Sequence, residues 1–222
     1  MRALRMLGSS VGNKLLLGLT GLALFGFLLF HLFGNLLGFL GPEIYNEHAH
    51  ALISNPLIIP AEFGILAIFL THIYKAVVNY WKNRAARPVA YGVKKWAGGP
   101  SRKSVGSTTM IWTGLSVLIF VAIHLKLFKY GPVYFEAGTG VRDLYRLLID
   151  DFRRPGIVAG YVLAMFLLGL HLRHGISSSI QSLGLMPESW TARILRAGIV
   201  LAILIAGLFA VIPVAVYFGA IR

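Results

Sequence analysis

The chain has 222 residues, 57% of them hydrophobic, no cysteine, and a formal charge of +13 from 21 Lys and Arg against 8 Asp and Glu. A mean hydropathy of +0.74 excludes an ordinary soluble domain and suits a polytopic membrane protein. The missing thiols exclude disulfides, thiolate nucleophiles, c-type haem attachment and cysteine-ligated clusters. The basic residues fall in the connections between apolar runs, so nucleic-acid binding is a poor reading.

The first apolar run, residues 15–40, is uncharged and long enough to cross a bilayer. It is too long for a signal-peptide core, and no small-residue cleavage site follows it. The connection 41–56 holds Glu43 and Glu47 without Lys or Arg and reads as an outer loop, with His48 and His50 solvated. A second span over 57–81 contains Pro60, Glu62 and Lys75. The segment 82–103 carries Lys82, Arg84, Arg87, Lys94, Lys95, Arg102 and Lys103 with no acid, a strong cytoplasmic signal. A third span covers 105–128. In the mixed-charge connection after it, Val141, Leu144, Tyr145, Leu148 and Phe152 recur at helical spacing, which predicts an interfacial amphipathic helix. A fourth span covers 156–180, and a fifth covers 194–218 after a short turn flanked by Arg193 and Arg196. Arg2, Arg5 and Lys14 agree with the other basic ends. The expected fold is an all-α integral membrane protein, one domain of five transmembrane helices. Its N-terminus is expected in the cytoplasm and its C-terminus outside the inner (cytoplasmic) membrane. No internal repeat or low-complexity tract is apparent.

Four of the seven histidines lie inside apolar spans, one in each of the first four: His31, His72, His124 and His171. Histidine is costly in hydrocarbon and marks a functional position there. Neutral imidazole is also a common axial ligand of haem iron. Helix direction sorts the four into an outer pair, His31 with His124, and an inner pair, His72 with His171. Two stacked bis-histidine haems are the expectation, and such groups carry electrons and bind no substrate. The rival is a haem-free transporter that uses the histidines as proton relays. Gly34 and Gly38 lie on one helix face below His31, where a helix or a flat macrocycle could approach. His174, one turn from His171, is an alternative ligand or a propionate contact. Lys75, Arg173, Lys14 and Ser10 lie near cytoplasmic helix ends, where the basic members could pair with haem propionates. Glu62 is the one acid inside an apolar run, and with His50 it is the candidate for proton exchange with a quinone near the outer pair.

These residues resemble the cytochrome b membrane-anchor subunit of succinate dehydrogenase/fumarate reductase, of the single-anchor, five-helix, two-haem kind. The resemblance covers nearly the whole chain. It is carried by Ser9-Ser10-Val11-Gly12-Asn13-Lys14 leading to Leu19-Thr20-Gly21, by His31-Leu32-Phe33-Gly34-Asn35, and by Asn46-Glu47-His48-Ala49-His50. Glu62-Phe63-Gly64, Leu70-Thr71-His72 and His171-Leu172-Arg173-His174-Gly175 complete it. The glycine four residues after the fourth-span histidine selects His171 over His174. His174 stands where other anchors often carry Asn. Gly169 stands where some members carry a Glu that assists proton movement, so no transmembrane proton route is implied. The resemblance implies two haem b and a membrane quinone, menaquinone in preference to ubiquinone. It further implies a flavoprotein and an iron–sulfur subunit docked on the cytoplasmic face. Succinate chemistry would belong to those partners. An anchor for another haem-linked dehydrogenase is the narrower alternative.

Overall fold

The computed structural model describes residues 9–86 and 105–222. Among these the chain is all-helical apart from one isolated bridge between Phe135 and Arg142. Seven α-helices follow one another: α1 Ser10–Leu36, α2 Pro42–Ile53, α3 Ile58–Ala85, α4 Val105–His124, α5 Leu144–Phe152, α6 Pro155–Ser182 and α7 Glu188–Tyr217. A 3₁₀ turn, Leu37–Leu40, extends α1, and a π turn, Leu125–Lys129, extends α4. Five helical stretches are long and apolar enough to span a membrane: Ser10–Leu40, Ile58–Ala85, Ser107–Lys129, Pro155–Ser182 and Glu188–Tyr217. The chain is therefore a multi-pass membrane protein, because helices satisfy their own backbone in lipid.

The spans exceed the apolar runs because polar ends continue the helices. Helix α1 starts five residues before the expected boundary, where the Ser9 hydroxyl accepts from the Gly12 N–H (3.0 Å) and caps the first turn. Helix α7 likewise begins at Glu188, after Pro187 in extended geometry.

Two connections differ from expectation. Residues 42–53 form helix α2, not a loop. Gly41 takes a φ of 104°, open to glycine alone without strain, and Pro42 occupies the first turn. The predicted amphipathic helix is present as α5, but it is more deeply packed than an interfacial helix. Tyr145, Leu148, Ile149 and Phe152 are all buried in the core that α6 and α7 complete.

Helix α6 is the central strut. Val158, Tyr161, Met165, Leu168, Leu172 and Ile176 form one buried stripe along it, the spacing of a single helical face. It packs on α1, α4 and α7, while α1 also packs on α3 and α3 meets α4. Helices α1, α3, α4 and α6 thus close a ring of four neighbours, with α7 lying outside on α6 and α1. The two diagonals of that ring, α1 with α4 and α3 with α6, have no comparable backbone packing. Small residues allow the tight edges. A Cβ on Gly18 would lie 3.2 Å from Ser179 O, and one on Gly169 would lie 3.1 Å from Ala206 Cβ.

Candidate functional site

Each diagonal of the four-helix ring carries one histidine pair. His31 of α1 meets His124 of α4 with ring centres 5.7 Å apart and planes 85° apart. His72 of α3 meets His171 of α6 at 6.4 Å and 68°. Both pairings are those predicted by helix direction. Along α1, His31 lies eleven residues beyond Thr20, which contacts His72. The layers are therefore separated by roughly 16 Å at ~1.5 Å per residue.

The two layers have different walls. Around His31 and His124 the wall is aromatic: Phe27 stacks on His31 (5.5 Å), and Phe120 stacks on His124 (5.7 Å). Phe128 and Phe209 approach the same rings at 5.4 and 5.9 Å. The Tyr161 hydroxyl lies 3.0 Å from His124 Nδ1. Around His72 and His171 the wall is small and polar. Thr20 Oγ1 is 3.2 Å from His72 Nδ1, and Thr113 Oγ1 is 3.3 Å from His171 Nδ1. Gly21 and Gly114 expose backbone to the same two rings. Thr20, Thr113 and Tyr161 are the site residues that sequence reasoning missed. The detectable signal was Thr20-Gly21-Leu22 recurring as Thr113-Gly114-Leu115, each threonine eleven residues before a span histidine.

The donor set suits a particular class of ligand. Among the described residues no group of three or more His, Asp or Glu side chains gathers, and two imidazoles alone hold a bare ion poorly. A metal already equatorially bound inside a macrocycle needs only two axial ligands. Two imidazoles sharing one metal would stand about 6 Å apart centre to centre, given ~2 Å metal–nitrogen bonds and ~1 Å within each ring. The observed 5.7 and 6.4 Å bracket that separation. The residues present fit two bis-histidine haems.

Other predicted residues fall as follows. A Cβ on Gly34 would lie 3.1 Å from His48 Nε2, so Gly34 admits the α2 histidine at this point. His48, expected to be solvated, is packed between Phe30 and Phe33 of α1, with its Nε2 buried and unpartnered. Gly38 receives Leu148 and Tyr45. His50 lies exposed in the last turn of α2. Among the described residues His174 forms no ring contact with another histidine, and Arg173 is exposed. Lys75 donates to Asn13 Oδ1 (3.0 Å), and Asn13 is buried. Glu62 is ion-paired with Lys129, both partly exposed, so its place near a span end has a partner independent of any proton pathway. Ser10 and Lys14 are exposed on the first turns of α1, while Arg2, Arg5, Arg87, Lys94, Lys95, Arg102 and Lys103 lie outside the described residues. The close contact of Gly169 with Ala206 leaves no room for a larger side chain without moving α7.

Fold and site together define a five-span membrane protein with two partly buried imidazole pairs on the diagonals of a four-helix ring. Compared with known proteins, the chain matches no family model, no curated protein and no solved structure.

Proposed function

We propose that the chain is the cytochrome b membrane anchor of a succinate:quinone oxidoreductase, linking an iron–sulfur partner on the cytoplasmic side to a membrane quinone. The observation that carries this reading is the pair of diagonal histidine couples, each at a separation fitting one shared metal. His31 and His124 would hold one haem b, and His72 and His171 the other. When bound, the haems supply one-electron transfer. Held by two histidines each, such haems would change redox state and bind neither oxygen nor substrate. Aromatic rings line the outer layer, and Gly21 and Gly114 let α1 and α4 approach the rings of the inner one. With no cysteine in this chain, any iron–sulfur cluster of such a complex would belong to a partner.

The assignment to succinate or fumarate chemistry rests on the sequence resemblance. The cytoplasmic face, and with it a cytoplasmic N-terminus, is assigned from the basic connections of the sequence by the positive-inside rule. The quinone, menaquinone by the same resemblance, would meet the outer layer, where the Glu62–Lys129 pair and His50 lie within reach of solvent or lipid.

The test is a pyridine haemochrome assay on the purified chain together with identification of the subunits that co-purify. Two haem b per chain, with a flavoprotein and an iron–sulfur protein, is the expected result. A colourless protein would overturn the haem reading and leave the histidines as proton relays. Two haems with hydrogenase or formate dehydrogenase subunits would overturn the succinate assignment alone. For the quinone site, Glu62→Gln should lower quinone turnover with both haems retained. Unchanged turnover there, with loss in Ser10→Ala or Lys14→Ala, would move the site to the cytoplasmic side.

A further inference from the structure

Helices α1 and α4 carry the same short pattern in the same place. Thr20-Gly21 lies against His72, and Thr113-Gly114 lies against His171. A Cβ on Gly21 or Gly114 would stand 3.4 Å from Cε1 of the facing ring in both copies. Each threonine faces the Nδ1 of that same ring, at 3.2 and 3.3 Å. The inner histidines are thus clasped alike, each by the helix that supplies one outer histidine.

The direction of these hydrogen bonds follows from counting protons. A threonine hydroxyl has one proton and two lone pairs. Thr20 Oγ1 donates to Leu16 O at 2.7 Å, within its own helix. Thr113 Oγ1 lies 3.2 Å from both Thr109 O and Met110 O. The 2.7 Å bond commits the Thr20 proton to Leu16 O; for Thr113, whose two carbonyls and His171 Nδ1 lie at nearly equal distances, the same assignment is part of the inference. With both hydroxyls donating to their own helices, each imidazole is the donor, its proton on Nδ1 and its lone pair on Nε2. That is the tautomer that can ligate a metal through Nε2, and the bond also fixes the ring's rotation. The outer pair is unlike this. His124 Nδ1 has the Tyr161 hydroxyl, whereas the Asn35 amide near His31 lies 3.4 Å from Nε2 and donates more closely to the His31 carbonyl (2.8 Å).

We infer that Thr20 and Thr113 are matched positioning residues that orient His72 and His171, hold them in the Nε2-ligating tautomer and strengthen their electron donation to the inner metal. The inference deepens the haem reading above and rests on it. An acceptor on Nδ1–H makes an imidazole more basic, which favours the oxidised metal and lowers its potential. Both threonines act on one layer, so the two redox components should respond differently to their loss.

The experiment is an optical redox titration of membranes holding the full chain, with haem content measured alongside. Thr20→Val and Thr113→Val should each raise the midpoint of the same component, the one lost in His72→Ala. A tenfold change in preference corresponds to ~59 mV for one electron. Thr20→Ser and Thr113→Ser should restore the wild-type value, and Tyr161→Phe should move the other component. If the valine variants fail to retain the inner haem, the serine variants decide: retention at the wild-type potential supports the inference, and loss or displacement overturns it. Two haems with unmoved potentials in the valine variants would overturn the inference alone. A wild-type chain without haem would overturn it together with the proposed function.

Discussion

Asn46, 2% exposed, ties three segments together with one amide. Its Nδ2 donates to Glu136 Oε1 (2.7 Å) and Asp143 Oδ1 (2.9 Å), and its Oδ1 accepts from the Tyr145 N–H (2.9 Å). Asn46→Ala strands a buried N–H and removes the donor that holds two carboxylates together. The expected cost is about 3 kcal/mol, read as a lowered thermal midpoint in detergent. Asn46→Asp should cost more, since a third carboxylate would face the other two. Asp151 gives the pH-dependent counterpart. One of its oxygens pairs with Arg154, and the other is buried without a partner. Burial raises its carboxyl above the usual 3.8, and Arg154 opposes that shift without cancelling it. A raised acid favours the folded state when protonated and loses that advantage as pH rises through its folded value. Wild type should therefore gain stability relative to Asp151→Asn as pH falls from neutrality toward 3.8. Paired melting curves at several pH values check this, and a constant gap would contradict it. At this scale the sequence was partly legible. Imidazoles in hydrocarbon are conspicuous because they are expensive there. Thr20, Thr113 and Tyr161 are not, since a hydroxyl in a membrane helix can satisfy itself on its own backbone.

Elements were more legible than their ends. The five spans emerge from apolar length alone, but hydropathy does not register the capped polar turns that extend α1 and α7. In the sequence, residues 42–53 look like a loop because their Pro-Glu start and polar content mimic one. The Gly41-Pro42 pair was in fact the helix-start signal, glycine for the positive φ and proline for the first turn. The consequence reached the site: a helical α2 brings His48 onto Gly34 and into an aromatic packing position. The close helix edges yield a prediction of their own. A Cβ on Gly21 would lie 2.9 Å from Ser179 Oγ and 3.4 Å from His72 Cε1, so it meets both α6 and the α3 histidine. Gly21→Val should displace His72 and deplete the inner haem while the outer one remains. Component-resolved redox titration checks this. Loss of the outer component, or of neither, would mean that the α1 contact does not set the position of that ring.

For the molecule as a whole, topology makes the arrangement possible. Neighbours in the ring are in backbone contact, α1 with α6 across Gly18, and the diagonals come together where the histidine rings meet. Layers about 16 Å apart, at ~1.5 Å per residue, cover roughly half of a ~30 Å hydrocarbon core. The sequence carried this much because helix direction, charge and depth together sort four histidines into two levels. It did not carry which helices are neighbours and which are diagonal, since that depends on packing between residues distant in the chain. The measurement that bears most directly on the account is redox titration of the four single variants at the histidines. His31→Ala and His124→Ala should remove one and the same component, His72→Ala and His171→Ala the other, with His174→Ala retaining both. If His31→Ala and His72→Ala removed the same component, the diagonal pairing would not describe how this protein holds its cofactors.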